Sequence, residues 1–84
     1  MIYFTYILYS ESRDRYYVGS CSDMKIRLQR HNDGWSRSTK SGIPWKIAYY
    51  EIFESKSEAI KREYHIKRMK SRKYIESLIN KPDG

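Results

Sequence analysis

Three stretches of the chain are rich in β-branched and aromatic residues, and they predict three β-strands. The first, Ile2 to Tyr9, is apolar at nearly every position, which is typical of a central strand buried on both faces. A polar turn at residues 10–14 leads to the second, Arg15 to Ser20, so these two strands should form a hairpin. The third strand is predicted over Trp45 to Phe53.

Helical periodicity, with a capping residue before the segments, predicts three helices. They cover Met24 to about Asn32, about Lys56 to Met69, and Ser71 to Asn80, with Lys81 and Pro82 ending the last one. The loop between the first helix and the third strand, Asp33 to Pro44, is long for so small a chain. Loops of this kind are commonly functional.

Length and charge restrict the class of protein. The 84 residues fit one domain, residues 1–84, without a linker or an appended DNA-binding module. With 17 Lys and Arg residues against 10 Asp and Glu residues, the net charge is +7, which favours a polyanionic partner such as nucleic acid. A basic surface that serves only solubility explains the charge as well.

Cysteine usage and the N-terminal stretch indicate the compartment. The single cysteine, Cys21, cannot form an internal disulfide, and no Cys/His cluster has the spacing of a zinc site. The apolar N-terminal stretch is too short to span a membrane and lacks a basic leader. We therefore expect a cytoplasmic protein with no membrane partner.

The first predicted helix directs two polar side chains towards the core. Arg27 and His31 are four residues apart and, at roughly 100° per residue, project from one face beside Met24 and Leu28. A cation in such a place is costly unless it has a partner or a function. The alternative is an arginine whose stem packs while its guanidinium reaches water.

The second predicted helix carries a carboxylate in a similar position. Glu63 is flanked by Ala59, Ile60 and Ile66, so it should face inward and would need a cation, a metal ion or hydrogen bonds to stay ionised. Glu63 is therefore the candidate metal ligand. A surface ion pair with Lys67, one helical turn further on, is the alternative.

In the predicted hairpin Tyr6 and Tyr17 lie on the same face as close neighbours, so that two phenol groups meet. Gly19 is expected to end the second strand because a helix or a phosphate comes close to its backbone there.

Basic residues in two regions suit contacts with phosphate. They are Arg37 and Lys40 in the long loop, where Ser38 and Thr39 would suit the same contacts, and Lys67 and Lys70 in the basic run of residues 61–73. A solvated loop and solvated helix faces are the alternative explanation of the same residues.

Taken in order, these motifs resemble the GIY-YIG nuclease domain from Phe4 to about Asn80. The two triplets of that family appear as residues 4–6, Phe-Thr-Tyr, and 17–19, Tyr-Val-Gly, and Arg27-x-x-x-His31 follows at the family's spacing. Residues 44–51 are similar to a further conserved stretch of the family, and the Glu63 helix is similar to its acidic helix. The first triplet keeps only its tyrosine, since Phe-Thr replaces Gly-Ile.

The resemblance implies an α+β fold, a small three-stranded antiparallel β-sheet flanked by about three α-helices. It also implies a single divalent metal ion, Mg²⁺ or Mn²⁺, held by Glu63, and hydrolysis of a phosphodiester bond by an activated water. A tyrosine, Tyr6 or Tyr17, would orient or deprotonate that water. Arg27 would stabilise the developing phosphoryl charge, and His31 would assist water activation or bind phosphate.

The predicted function is accordingly a metal-dependent endonuclease that cleaves DNA, with repair, recombination and defence against foreign DNA all compatible. The alternative is a nucleic-acid-binding module of the same fold with little or no catalytic activity. A pure binder has no need of an inward carboxylate that repels phosphate, which favours the enzyme. The sequence leaves open which nucleic acid is cut and whether a protein partner supplies specificity.

Overall fold

The computed structural model describes residues 1–80, which form three strands and four helices. In chain order the elements are β1 (Tyr3–Ser10), β2 (Arg15–Cys21), α1 (Met24–Asn32), α2 (Arg37–Lys40), β3 (Trp45–Phe53), α3 (Lys56–Met69) and α4 (Arg72–Ile79). The α+β class and the three-stranded antiparallel sheet are as expected, and α2 adds a short fourth helix.

The sheet has the strand order β2-β1-β3, and both pairings are antiparallel. The prediction that the first strand is central is confirmed, because β1 pairs with β2 on one side and with β3 on the other. Residues 5–8 of β1 are all buried, as its continuous apolar pattern indicated. The strand β2 is therefore an edge of the sheet.

The two faces of the sheet carry separate apolar clusters. On one face Met24 and Leu28 of α1 pack against a buried cluster formed by Tyr6, Leu8, Cys21 and Trp45. On the other face the apolar stripe of α4 packs against a second cluster formed by Ile7, Val18 and Ile66. Side chains of successive residues in a strand point to opposite faces, so β1 and β2 contribute to both clusters.

Each of the three longer helices is preceded by a residue whose side chain caps its first turn. The Asp23 carboxylate accepts a hydrogen bond from the Ile26 N–H (3.0 Å), and Ser55 Oγ accepts one from the Glu58 N–H (3.2 Å). Ser71 Oγ likewise accepts from the Tyr74 N–H (3.0 Å). These bonds satisfy backbone donors that a helix leaves free at its start, so the predicted helix starts are local in origin.

Several element boundaries differ from the expectations, including the end of the second strand, which lies at Cys21 instead of Ser20. The first strand is shifted by one residue, and the long loop contains α2, which is too short for a periodic pattern to reveal it. The third predicted helix begins at Arg72 and ends at Ile79, with Ser71 and Asn80 as its caps. The predicted stop signal at Lys81 and Pro82 lies outside the described residues.

The expectation for Gly19 was wrong. The strand β2 continues past it to Cys21, and the group that comes close to its backbone is the Tyr6 ring on the facing strand. A Cβ atom at Gly19 would lie 2.5 Å from the Tyr6 hydroxyl oxygen and 2.7 Å from Cζ. Glycine is therefore required at this position by a cross-strand contact with the aromatic ring of Tyr6.

Candidate functional site

Helix α1 turns Arg27 and His31 towards the sheet, as their spacing predicted. The His31 side chain is only 5% exposed and Arg27 is partly buried, whereas Lys25 and Arg30 on the other side of the helix are exposed. The helix begins directly after β2, so these two side chains lie close to the residues that this edge strand presents on the same face.

His31 lies between two hydroxyl groups in the buried layer beneath α1. Its Nε2 is 3.2 Å from the hydroxyl of Tyr6, and its Nδ1 is 2.9 Å from Oγ1 of Thr39 in α2. The His31 ring also packs edge-on against Tyr17, with ring centroids 4.9 Å apart. Tyr6 and Tyr17 are neighbours on this face, as expected, with centroids 6.5 Å apart.

The surroundings of this cluster shift two pKa values in a way that keeps both groups uncharged. Burial raises the pKa of the Tyr6 hydroxyl well above its ordinary value; the nearby Tyr17 adds to the effect, and the guanidinium of Arg27 opposes it. Burial lowers the pKa of His31, and Arg27 lowers it further. At neutral pH Tyr6 is thus a protonated phenol and His31 a neutral imidazole.

Glu63 lies on α3 at the β2 edge of the sheet, and its side chain is 15% exposed. Its Oε1 accepts a hydrogen bond of 2.7 Å from Ser20 Oγ in β2, and its Oε2 forms an ion pair of 2.6 Å with Lys67 Nζ. The inward position of Glu63 and its ion pair with Lys67 are therefore both present. The carboxylate faces inward to the edge strand, and it is also paired with the lysine one helical turn away.

Ser20 and Lys67 link Glu63 to the other candidate residues. Ser20 lines, together with Arg27, a cavity of about 330 Å³ at the β2 edge. The ammonium group of Lys67 lies over the ring of Tyr17, 5.9 Å from its centroid. The arrangement therefore runs along one edge of the sheet, from Arg27 past Ser20 and Glu63 to Lys67 and Tyr17.

The predicted phosphate-binding residues fall into two separate groups. Lys67 and Lys70 line a second cavity of about 430 Å³, which opens beside Tyr17. Arg37 and Lys40 lie exposed on α2, and neither lines one of the two cavities described here. The structure thus brings the first two residues to the candidate site and leaves the other two apart from it.

Two arginines of the basic run are engaged within the protein. The guanidinium of Arg62 donates to both carboxylate oxygens of Glu51, at 2.9 and 3.1 Å, and thereby ties α3 to β3. Arg72 donates to Asp14 and to Glu76. These two side chains therefore stabilise the fold. The sequence pattern alone did not distinguish this structural role from phosphate binding.

The donor set around Glu63 is compatible with one type of divalent metal site. Within residues 1–80 there is no group of three or more His, Cys, Asp or Glu side chains that could together hold a metal ion. Mg²⁺ commonly keeps several waters and is bound by one or two carboxylates together with phosphate oxygens of the substrate. A site with Glu63 as its protein carboxylate fits Mg²⁺ or Mn²⁺ in that manner, whereas a closed cage of protein ligands does not fit.

The sequence reasoning missed Ser20 and Lys56 in this region, and it gave Thr39 a role as a phosphate contact that does not fit a side chain only 1% exposed. Thr39 is buried against His31, Ser20 binds Glu63, and Lys56 lines the same cavity as Arg27. Each is a common surface residue type, and its contact lies in another element of the fold. In the sequence, only Ser20 could have been recognised as a site residue, because it directly follows Gly19 of the second triplet.

None of the helices within residues 1–80 is both long enough and apolar enough to cross a membrane.

Comparison with known proteins identifies the family. Residues 2–75 match the model of the GIY-YIG catalytic domain. A UPF0213 protein of Staphylococcus saprophyticus is 38% identical over 63 residues, which cover 74% of this chain and 77% of that protein. UPF0213 proteins of Staphylococcus aureus are 44% identical over 52 residues, or 61% of this chain and 63% of theirs.

A solved structure gives the same result for the fold. The solution NMR structure of a UPF0213 protein from Bacillus halodurans is similar with a TM-score of 0.61 and 29% identity, over 100% of this chain and 88% of that one. Together with the ordered motifs, the three comparisons establish that this chain belongs to the GIY-YIG catalytic domain family.

Proposed function

We propose that this protein is a metal-dependent endonuclease that hydrolyses phosphodiester bonds in DNA. The observation that carries the proposal is the position of Glu63, which is held at the edge of the sheet by Ser20, a residue that lines the same cavity as Arg27. A carboxylate next to a phosphate-binding arginine repels the substrate unless a cation lies between them. Membership of the GIY-YIG family, whose nucleases generally depend on a divalent metal ion, supports such an ion as that cation.

The proposed roles follow from the charges of the side chains. Glu63 would hold Mg²⁺ or Mn²⁺, an ion that supplies charge neutralisation at phosphate and lowers the barrier to forming hydroxide. Arg27 binds the phosphoryl oxygens, where negative charge grows as water attacks phosphorus and the bond to the sugar oxygen breaks. Lys67 and Lys70 bind neighbouring phosphates, and their contribution to affinity falls as salt rises.

The two tyrosines take different roles. Because burial raises the pKa of Tyr6, its phenol stays protonated and acts as a hydrogen-bonding group that positions His31 and Arg27. Tyr17 is only partly buried and lies between His31 and Lys67, so it is the phenol that can orient the attacking water. We therefore assign orientation of the water to Tyr17.

A binding module without catalytic activity is the competing function, and one contact favours it. Lys67 neutralises Glu63 at 2.6 Å, so the carboxylate has a partner even when no metal ion is bound. An ion pair between residues four apart on a helix typically contributes only about 0.3–0.5 kcal/mol, which a divalent ion can readily overcome. The pair therefore does not outweigh the position of Glu63 beside the Arg27 cavity.

The test is a cleavage assay with purified protein on single-stranded, duplex, flapped and branched DNA and on RNA, with Mg²⁺, Mn²⁺ or a chelator. We expect metal-dependent cleavage of at least one DNA substrate. Glu63→Gln should reduce cleavage by about 100-fold or more, as the loss of a transition-state electrostatic group commonly does. The matched control is Glu54→Gln, the same change of charge at an exposed position outside the cavities, and it should cleave like wild type.

Binding to the same substrates separates the two functions. In the presence of a chelator, Glu63→Gln should bind DNA at least as tightly as wild type, because it removes a negative charge from the binding surface. Wild-type protein that binds DNA but cleaves no substrate with either metal would establish the binding module. Cleavage by Glu63→Gln at the wild-type rate would refute Glu63 as the metal ligand.

A further inference from the structure

The buried contacts of Thr39 reach the candidate site through two other side chains. Thr39 lies in the four-residue helix α2 and is 1% exposed, and its Oγ1 is 2.9 Å from Nδ1 of His31. The opposite ring nitrogen, Nε2, is 3.2 Å from the hydroxyl of Tyr6, which is 2% exposed. Three buried polar groups are therefore connected in a row.

The direction of these hydrogen bonds can be inferred by counting the donors and acceptors that each group offers. The hydroxyl of Thr39 has one proton and two oxygen lone pairs; the carbonyl oxygen of Ser36, at 3.4 Å, can accept that proton, which leaves Oγ1 able to accept from His31. Nδ1 of the neutral imidazole must then carry the ring proton and donate it to Thr39. Nε2 is left with a lone pair and accepts the proton of the Tyr6 hydroxyl.

The reverse direction leaves the buried hydroxyl of Tyr6 without an acceptor. If Thr39 donated to Nδ1, the Ser36 carbonyl would keep the Thr39 N–H at 3.2 Å, but Nε2–H would donate to the Tyr6 oxygen. The Tyr6 proton would then lose its acceptor, since Nε2 of His31 is the hydrogen-bond partner of this hydroxyl within residues 1–80. A buried donor without an acceptor costs a substantial part of a hydrogen bond, so the first direction is strongly preferred.

We propose that Thr39 is a positioning residue that sets the Nδ1–H tautomer of His31 and, through it, the direction in which the Tyr6 hydroxyl donates. The proposal rests on the proposed function only for its effect on cleavage. Thr39 is 1% exposed and does not line the cavity that Arg27 lines, so it would act through His31.

The tautomer can be measured directly by ¹⁵N NMR of the imidazole nitrogens. The chain has two histidines, and His65→Gln leaves His31 as the sole source of ring signals. Spectra recorded above pH 7.5 should show Nδ1 protonated and Nε2 unprotonated in this background. In Thr39→Val, which keeps the shape but removes the acceptor, the two ring shifts should converge towards an equal mixture of tautomers. In Thr39→Ser they should stay at the wild-type values.

Cleavage kinetics supply the second readout. Replacing a group that orients a histidine commonly costs about 10–100-fold in activity, so kcat of Thr39→Val should fall by at least about tenfold. Thr39→Ser should recover kcat to within about threefold of wild type, because serine presents the same acceptor. The control Ser38→Ala, an exposed hydroxyl in the same short helix, should leave both the spectra and kcat unchanged.

Each outcome decides the proposal. A protonated Nε2 in wild type, or wild-type ring shifts in Thr39→Val, would overturn it whether or not the protein cleaves DNA. If Thr39→Val does not fold, the wild-type tautomer and the comparison of Thr39→Ser with Thr39→Ala still test it. Absence of cleavage in wild type together with the expected tautomer would refute the nuclease function and leave the hydrogen-bond order intact.

Discussion

Gly19→Ala tests the packing of the second triplet directly, because the glycine faces Tyr6 across the β1–β2 pair. The added methyl group would lie 2.5 Å from the Tyr6 hydroxyl oxygen and 2.7 Å from Cζ, well inside the 3.4 Å at which ordinary contact begins. The ring cannot simply move aside, since it is 2% exposed and its hydroxyl binds His31 at 3.2 Å.

The change in the free energy of unfolding caused by Gly19→Ala follows from two opposing effects. Overpacking a filled core costs about 1–3 kcal/mol, whereas replacing glycine by alanine restricts the unfolded chain and returns about 0.4–1 kcal/mol. The net loss in the free energy of unfolding should be about 1–2 kcal/mol. For a domain of this size about 4–8 °C of Tm corresponds to 1 kcal/mol, so Tm should fall by about 5–15 °C.

Thermal and urea unfolding, followed by far-UV circular dichroism, measures this loss. The control is the same substitution in a Tyr6→Leu background, where the far end of the ring is gone and the methyl group has room. In that background Gly19→Ala should be neutral or slightly stabilising, so the two positions should show a coupling energy of about 1–2 kcal/mol in a double-mutant cycle. The steric explanation of Gly19 would be refuted if Gly19→Ala lowered the free energy of unfolding equally in both backgrounds, or if it had no effect in the wild-type background.

Three further predictions concern charged groups. Arg62→Lys replaces the two-pronged contact with Glu51 by a single ammonium group and should lower the urea-derived free energy of unfolding by about 1–2 kcal/mol; an unchanged midpoint would contradict it. Because burial lowers the pKa of His31, the unfolded chain binds more protons near its ordinary pKa of about 6.5, and stability should fall as pH drops below that value. Urea midpoints from pH 5 to 8 should show this slope in wild type, and His31→Gln should flatten it. Lys67→Gln removes the ion-pair partner of Glu63, so Mn²⁺ should bind about twofold more tightly by calorimetry. The same change removes a proposed phosphate contact, so the salt dependence of DNA binding should weaken by about one phosphate. If neither the Mn²⁺ affinity nor the salt dependence changes, both proposed roles of Lys67 are ruled out.

Local signals account for the parts of the fold that the sequence predicted well. Capping by Asp23, Ser55 and Ser71 involves a residue and a backbone N–H three positions later, so the start of each longer helix is encoded within a few residues. The continuous apolar pattern of β1 likewise predicts burial on both faces of the strand, even when the elements that pack against it are not known. The shared face of Arg27 and His31 was predictable for the same reason, since it depends only on helical geometry.

The parts that could not be predicted depend on contacts between distant elements. The reason for Gly19 is the Tyr6 ring, and this contact requires the register of the β1–β2 pair, which the turn allows in more than one form. Thr39 sits in a helix of four residues, which is shorter than any periodic pattern, and its partner His31 lies in another helix. A common residue type in an irregular segment gives no sign of its burial.

Glu63 illustrates why helical periodicity alone could not separate its two interpretations. The residue lies where α3 meets the edge strand β2, so one carboxylate oxygen reaches Ser20 inside the fold and the other reaches Lys67 at the surface. An inward position and a surface ion pair are alternatives on a helix that packs against the middle of a sheet, but they coexist at an edge. The position of Glu63 at the edge of the sheet also suits the chemistry proposed for the site. The Lys67 side chain is 45% exposed and can leave the carboxylate for a phosphate at little cost, whereas the Ser20 hydroxyl would keep Glu63 in place for a divalent ion.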